Sequence, residues 1–374
     1  MNIAALDIGG ANLKAVHTSG AAQFVPFEVW RQPGLICEAV QAVLRRFPPY
    51  DFLAVTMTAE LCDCFSTKRD GVLRILDAVE AASSAISPGK AIKVFRLDGR
   101  LADLEQARAE PLAVASANWM ALAVYGASLM TKGRCVVADT GSTTTEIIPV
   151  RNGVPLPGGR TDAERLLIGE LVYTGVRRTP VFAISDRLPY HDRSCPVASE
   201  VFATMLDAYL LSADISEEAV PALPFTGAQV PGAVPVEQGG EASAAVPFHA
   251  TADGRAATRA QARDRLARMV CADRETFDDE DALAAARFLV SAQEKKVRQA
   301  LLLVAERIGG PFEKAVVAGE GEFLLRRAIH RLWPRCEIIP ISERMSRDIS
   351  RTACAYSLTR IAEDPAKFQR QLAK

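Results

Sequence analysis

The chain has 374 residues, of which 49% are hydrophobic and 24% charged, and its formal net charge is −1. That length gives room for two cored domains. The near-neutral balance offers no electrostatic handle for nucleic acid or an anionic membrane, so neither is expected as a partner. The eight cysteines include no Cys-x-x-Cys pair, and neither Cys62-x-Cys64 nor the His191/Cys195 spacing makes a zinc site without further ligands. Reduced thiols in a cytoplasmic setting are the expectation; no basic start or cleavable apolar segment precedes the first strand.

Residues 1–30 predict a strand meander with Gly20 at a turn. Within it, 3–16 read as strand, Asp7, a Gly9-Gly10 turn, and strand again. The glycines let backbone approach a ligand, and Asn12 and Lys14 follow within reach of a phosphate, although a solvated hairpin lysine is the commoner role. Helical spacing over 35–47 stops at Pro48-Pro49. A buried strand over 52–58 runs into a polar cluster at 59–64. Ligands in open α/β sheets bind at such strand ends, which makes Glu60 and Asp63 candidates; carboxylates favoured by a helix dipole are an equal reading. A helix over 71–85 and a strand over 92–97 follow. Residues 111–131 carry no charge and are long enough to cross a bilayer, yet Asn118, two serines, a glycine and many alanines favour a buried helix over 113–129. A buried Asn118 must be hydrogen-bonded, either lining a cleft or satisfying neighbouring backbone.

The central stretch, 136–148, delivers Asp139, then Gly141, then the hydroxyls of Ser142, Thr143, Thr144 and Thr145. Hydroxyls and exposed amides in such a turn hold phosphate oxygens, and the carboxylate suits Mg2+ bridged to substrate phosphates. Two strand–Asp–Gly turns suggest two similar halves facing one cleft; neither matches the P-loop or dinucleotide spacing. Residues 149–180 are dense in polar groups. Arg165, Arg177 and Arg178 can clamp a diphosphate, and Asp162, Glu164 or Glu170 can act as a base. Each alone reads as a surface ion-pair member; the cluster reads as substrate contact. Val201, Phe202, Met205, Leu206 and Tyr209 read as the core face of a helix over 199–211. A Pro/Gly/Ala-rich insertion at 221–248 forms no regular element, and the 251–255 turn can also face the cleft. A basic helix over 260–272 reads as solvated. A long helix over 281–308 carries the stripe Val297, Leu301, Val304 and Ile308. A strand, a Gly319-Glu320-Gly321 turn and a helix occupy 315–325, and a strand at 336–341 and a helix at 346–361 close the chain.

Asp-Ile-Gly-Gly at 7–10, Asp-Thr-Gly-Ser-Thr-Thr at 139–144 and the turn at 319–321 resemble the phosphate-1, phosphate-2 and adenosine motifs of the acetate and sugar kinase, Hsp70 and actin superfamily. The resemblance implies an α/β fold with two ribonuclease H-like (actin/Hsp70/sugar kinase type) domains around a central cleft. The first half spans 1–125, with the C-terminal helix 345–372 returning to it; the second spans 126–344 and carries the insertion. That fold hosts several chemistries.

A narrower resemblance adds Met-Thr-Ala-Glu-Leu at 57–61, Gly-Glu-Leu-Val-Tyr-Thr-Gly-Val-Arg-Arg-Thr-Pro at 169–180 and Thr-Ala-Asp-Gly-Arg at 251–255. Together the segments resemble the hydantoinase/oxoprolinase-like proteins linked to tetrahydromethanopterin one-carbon metabolism. This implies a transferase in methanofuran biosynthesis. It condenses the diphosphate of 5-(aminomethyl)-3-furanmethanol with the phenol of γ-glutamyltyramine, or a tyrosine equivalent, and releases diphosphate. On that reading Asp7 and Asp139 hold Mg2+. Gly9, Gly10, Asn12, Lys14, Asn118, Gly141, Ser142, Thr143, Thr144, Arg165, Arg177, Gly319, Glu320 and Gly321 contact substrate or phosphate. Glu60, Asp162 or Glu164 is the base, and ATP is not expected to be required. Two departures stand out. Glu146 occupies a place where Asp is more usual, and Glu320 would sit awkwardly beside nucleotide phosphates. The competing readings are an ATP-dependent small-molecule kinase or ATPase of the same fold, and a non-catalytic subunit that binds phosphorylated ligand. ATP consumption separates the first from the transferase. Homo-oligomerisation is left open.

Overall fold

One strand topology occurs twice. The computed structural model describes residues 1–217, 251–345 and 347–372; the predicted insertion at 221–248 lies outside them. In the first half, Ile3–Ile8 (β1), Asn12–His17 (β2) and Ala22–Pro26 (β3) form the expected meander, and Phe52–Met57 (β4), Ala91–Phe95 (β5) and Leu101–Asp103 (β6) extend it. The sheet order is β3-β2-β1-β4-β5-β6, with β1 antiparallel to β2 and parallel to β4. Helices Ile36–Leu44 (α1), Lys68–Ile86 (α2), Leu104–Ala109 (α3) and Asn118–Ser128 (α4) belong to this half.

The second half begins with Arg134–Thr140 (β7), Thr145–Arg151 (β8), Val154–Pro155 (β9), Asp162–Leu167 (α5) and Leu171–Val172 (β10). A small hairpin, Arg187–Tyr190 (β11) and Arg193–Pro196 (β12), precedes Met205–Leu211 (α6), Arg259–Met269 (α7) and Asp279–Arg307 (α8). Lys314–Ala318 (β13), Glu322–Leu332 (α9) and Glu337–Pro340 (β14) complete the sheet. Its order, β10-β8-β7-β13-β14, repeats that of the first five strands. Ile341–Arg344 (α10), Arg347–Arg351 (α11), Ala353–Glu363 (α12) and Pro365–Leu372 (α13) end the described chain. The two sheets are two ribonuclease H-like units.

Burial follows from this layering. Every residue of β1 is buried, as a strand covered on both faces must be. One core lies between the first sheet and α1 and α2, and another between the second sheet and α6 to α9. The layer between the sheets joins Ile3 and Ala5 of β1, Val137 of β7, Trp119 and Leu122 of α4, and Leu358 and Ile361 of α12. The C-terminal α12 thus packs on α4 and β1, and both Asp-Gly turns are fixed by one continuous apolar layer.

Several expectations are corrected. The helix foreseen over 113–129 begins only at Asn118, because Ser116 takes a left-handed backbone, φ +47°. Among the described residues no helix is long and apolar enough to cross a membrane. The helix over 199–211 begins at Met205, after a Thr204 capping box closed by Asp207. Val201 and Phe202 consequently fall outside it, 52% and 40% exposed. The basic helix is not wholly solvated: Arg265 is buried against Asp207 at 2.7 Å. Asp253 of the 251–255 turn also accepts from Arg265, at 3.1 Å, so that turn serves this buried pair. The last predicted helix is split at Thr352.

Close packing at the third glycine turn is measurable. Gly319 has φ +92°, and a Cβ there would lie 2.3 Å from both Asp139 Oδ1 and the Thr140 carbonyl. Gly20 has the same φ, +92°, with nothing within 4 Å. Gly20→Ala is expected to cost about 1–2 kcal/mol from backbone strain alone, and Gly319→Ala at least about 3 kcal/mol because overpacking is added. Denaturant unfolding of both variants checks this; equal losses would refute the packing argument.

Candidate active site

The two Asp-Gly turns open onto one cleft of ≈ 470 Å³. The first turn contributes Asp7, Gly9, Gly10, Asn12 and Lys14, and the second contributes Asp139, Gly141, Ser142, Thr143, Thr144 and Glu146. Asn118 and Trp119 of α4, and Asp162 of α5, also line it. The turns are built alike: Gly9 N–H donates to the Asn12 carbonyl at 3.0 Å, and Gly141 N–H to the Thr144 carbonyl at 2.9 Å. Asn12 Nδ2 reaches Ser142 Oγ at 3.4 Å, linking one turn to the other. Of the four consecutive hydroxyls, Thr145 faces inward and donates to the Thr174 carbonyl at 2.8 Å.

Strand register sets the charges. Asp7 stands opposite Lys14, and Asp139 stands opposite Glu146. Asp7 is buried, with Asn118 Nδ2 at 3.3 Å and Lys14 Nζ at 3.9 Å. Burial raises its pKa, opposed by Lys14 and Asn118. Asp139 is pushed up to about 6, chiefly by burial, with Lys14 opposing and Glu146, Asp7 and Glu320 adding. Its Oδ1 is buried without a hydrogen-bond partner among the described residues. Burial lowers the Lys14 pKa, but Asp7, Cys354, Asp139 and Glu320 outweigh it and carry the ammonium up to about 12. Lys14 is therefore a permanent cation between the two aspartates.

No group of three or more His, Cys, Asp or Glu side chains able to hold a metal occurs among the described residues. The chemistry of Asp7 and Asp139 nevertheless fits Mg2+, which takes one or two carboxylates and fills its octahedron with water and substrate phosphate. The orphaned Asp139 Oδ1 is a buried acceptor of that kind.

The arginines divide in a way the sequence did not reveal. Arg165 is fully buried, pairs with Glu146 and stacks 3.9 Å over the Trp119 ring. A like-charge pair such as Asp139 and Glu146 is destabilising across strands, and Arg165 neutralises it. Arg177 donates to Glu320 from Nε at 2.7 Å, and Arg351 Nη2 meets the same carboxylate at 2.6 Å. Burial pushes Glu320 up, but the two arginines outweigh it and hold its pKa below the usual value. Arg165, Arg177, Gly319, Glu320 and Gly321 are all absent from the cleft lining. Arg178 does line it. Its guanidinium lies 4.1 Å over the Trp30 ring and, among the described residues, makes no hydrogen bond or ion pair.

The proposed bases also separate. Glu164 is exposed and closes the Thr161 capping box, accepting from Arg160 N–H at 2.8 Å and Thr161 N–H at 3.0 Å. Glu170 is buried and accepts from Gly158 N–H at 2.7 Å. Glu60 and Asp162 come together through a residue the sequence reading missed: Ser116 Oγ lies 2.6 Å from Glu60 Oε1 and 2.8 Å from Asp162 Oδ2. Glu60 is pushed up to about 7, mainly by burial, against its hydrogen bond from Ser116. The sequence reading also missed the aromatic and apolar side chains of Trp30, Leu61, Trp119, Leu122, Leu171 and Tyr173 in the lining. Cys62 lines the cleft, but burial carries its thiol up to about 11, which leaves it a poor nucleophile at neutral pH.

Two ribonuclease H-like units around a cleft lined by paired Asp-Gly turns define a protein of the actin, Hsp70 and sugar-kinase fold. Within that fold, residues 51–231 match the hydantoinase/oxoprolinase family. The chain is 29% identical over 365 residues to the (4-{4-[2-(γ-L-glutamylamino)ethyl]phenoxymethyl}furan-2-yl)methanamine synthase of Methanocaldococcus jannaschii, covering 96% of this chain and 97% of that one. It is 28% identical over 231 residues to the protein of the same name from Methanococcus vannielii, covering 60% and 89% of the two chains. Acetone carboxylase in its nucleotide-free form aligns with a TM-score of 0.51 at 9% identity, covering 94% of this chain and 70% of that one; this last likeness is one of fold. The resemblance read from the motifs is borne out by the family match and the two synthases.

Two outcomes follow from the site's charges. Arg165→Met leaves the half-buried Glu146 beside Asp139 without a counter-ion and is expected to cost about 3 kcal/mol, the low end for breaking a buried pair; adding Glu146→Gln recovers at least half. Unfolding free energies that simply add would refute the pairing. Glu60 titrates at about 7 in the native chain against an ordinary 4.5, so between those values the native state binds more protons than the unfolded one. Stability therefore falls as pH rises through that window, and Glu60→Gln flattens the fall. A melting-temperature profile unchanged by the substitution would contradict this.

Proposed function

We propose that this chain is a transferase of methanofuran biosynthesis, condensing the diphosphate of 5-(aminomethyl)-3-furanmethanol with the phenol of γ-glutamyltyramine to give an aryl ether and diphosphate. One observation carries the reading. A cradle of two joined phosphate-type turns shares a single cleft with aromatic side chains and with Asp162, which Ser116 links to the buried Glu60, in a chain that aligns over 96% of its length with a synthase of that product.

The chemistry suits these groups. A furan stabilises positive charge on its attached CH2, so the carbon–oxygen bond to diphosphate breaks once the leaving group is neutralised. Lys14 supplies a fixed positive charge, Ser142, Thr143 and Thr144 supply hydroxyl donors, and Arg178 supplies a second cation at the cleft wall. Fixed donors aimed at developing charge are usually the largest catalytic term. Asp7 and Asp139 would hold Mg2+, which when bound adds neutralising charge to the diphosphate. The acceptor phenol, with an ordinary pKa of about 10, attacks the CH2 as a carboxylate takes its proton. Asp162 faces the cleft and is our choice of base. The Gly319–Gly321 turn, the counterpart of an adenosine motif, has its carboxylate locked by Arg177 and Arg351, which favours a reaction without ATP. We place the reaction in the cytoplasm, with small-molecule substrates and neither nucleic acid nor membrane as partner.

The test is mass spectrometry of the purified chain with Mg2+, the furanmethanol diphosphate and γ-glutamyltyramine, ATP being left out. Ether and diphosphate in equal amounts are expected, with a loss of at least about 100-fold in Asp139→Asn, in line with removal of one electrostatic group. No product with γ-glutamyltyramine, and none with tyrosine, would overturn the assignment.

A further inference from the structure

Ser116 has one hydroxyl hydrogen and two carboxyl oxygens within hydrogen-bond distance, Glu60 Oε1 at 2.6 Å and Asp162 Oδ2 at 2.8 Å. If both carboxyls are ionised, one of these contacts sets lone pair against lone pair. A third proton holder resolves this. Lys68 Nζ lies 2.9 Å from Asp162 Oδ2 and Arg165 Nη1 lies 4.0 Å from Asp162 Oδ1, so two cations sit against Asp162, while Glu60 makes no ion pair among the described residues. Glu60 is the member that accepts a proton, and its Oε2 is buried with no partner among the described residues. The resting chain then runs Glu60 O–H to Ser116 Oγ, and Ser116 O–H to the Asp162 carboxylate. Ser116 is held for this at φ +47°, a backbone costing about 1–2 kcal/mol for an L-residue, and such strain collects at functional sites.

We propose that Ser116 is a positioning residue that relays the acceptor's proton from the cleft-facing Asp162 to the buried Glu60. This rests on the transferase reading above. With Glu60 ionised, Asp162 takes the phenolic proton as the aryl ether bond forms and the bond to diphosphate breaks. Ser116 passes its hydroxyl hydrogen to Glu60 and receives one from Asp162. The net change is one phenolic O–H broken and one Glu60 O–H formed, with Ser116 and Asp162 restored. The proton returns along the same path when products leave. Asp162 thus regains its negative charge within the turnover, and turnover rises with pH as Glu60 ionises. The charged and titratable groups facing the relay are Lys68, Arg165 and the Cys62 thiol beside Glu60.

The experiment compares Ser116→Ala, Ser116→Gly and Glu60→Gln with the wild-type chain on two acceptors: γ-glutamyltyramine, and a ring-fluorinated form whose phenol ionises near neutral pH. Glycine adopts the Ser116 backbone without strain, so that variant folds even where alanine does not. With the ordinary phenol, each variant is expected to lose about 10- to 100-fold in kcat, within the range of general-base assistance, to keep KM within about threefold, and to lose the rise with pH. With the fluorinated phenol each returns to within about threefold of wild type. Equal losses on both acceptors, or no loss on either, would overturn the relay. A wild-type chain that forms no ether with either acceptor would overturn the transferase reading and the relay with it.

Discussion

Asp7, Asp139 and Glu146 line one cleft, Glu320 acts on Asp139 from outside that lining, and the rest of the site answers their repulsion. Asp7, Asp139, Glu146 and Glu320 all act on the Lys14 and Asp139 region. Three have an assigned cation: Lys14 for Asp7, Arg165 for Glu146, and the Arg177 and Arg351 pair for Glu320. Asp139 alone keeps an orphaned oxygen. Burying an unpaired charge is costly, and burial accordingly pushes the Asp139 carboxyl up to about 6.

The duplicated topology explains why the pairs are arranged this way. In each half the first strand carries an aspartate one residue before its end, a glycine turn follows, and the second strand returns a charged residue to the aspartate's side. That residue is Lys14 in one half and Glu146 in the other. At equivalent positions the two halves therefore contribute opposite charge. The first half is self-neutral. The second needs a counter-ion from outside its hairpin, and α5 provides it through Arg165, clamped between Glu146 and the Trp119 face. The domains are thus tied electrostatically through α4 and α5 at the same place where they share the apolar layer.

Much of this was legible in the sequence because the strands are short, apolar and ended by residues with few roles. Asp7, Gly9, Gly10, Asp139, Gly141 and the hydroxyls 142–144 all fall on the cleft, and Asn118, a polar group in an apolar run, lies beside Asp7 there. What the sequence concealed was partnership at long range. Arg177 and Arg178 are adjacent and chemically alike, yet one turns to Glu320 and the other to Trp30; no spacing rule distinguishes them. Arg165 looks like a clamp for ligand until β8 brings Glu146 to it. Ser116 sits between alanines in what reads as helix, and only its left-handed backbone takes it out of that helix. Trp30 had no pattern at all, since a lone aromatic in a loop reads equally well as core.

The third turn shows how such a fold can keep a phosphate cradle while changing what lies beside it. Gly319 and Gly321 let β13 and α9 pack directly on Thr140, where side chains would collide. This presses Glu320 between Arg177 and Arg351, away from the cleft lining. The cleft lining also includes the indoles of Trp30 and Trp119 and the side chains of Leu61, Leu122, Leu166 and Leu171. The cleft thus joins aromatic and apolar side chains from α4 and its neighbouring loops to the charged and hydroxyl groups of the two Asp-Gly turns.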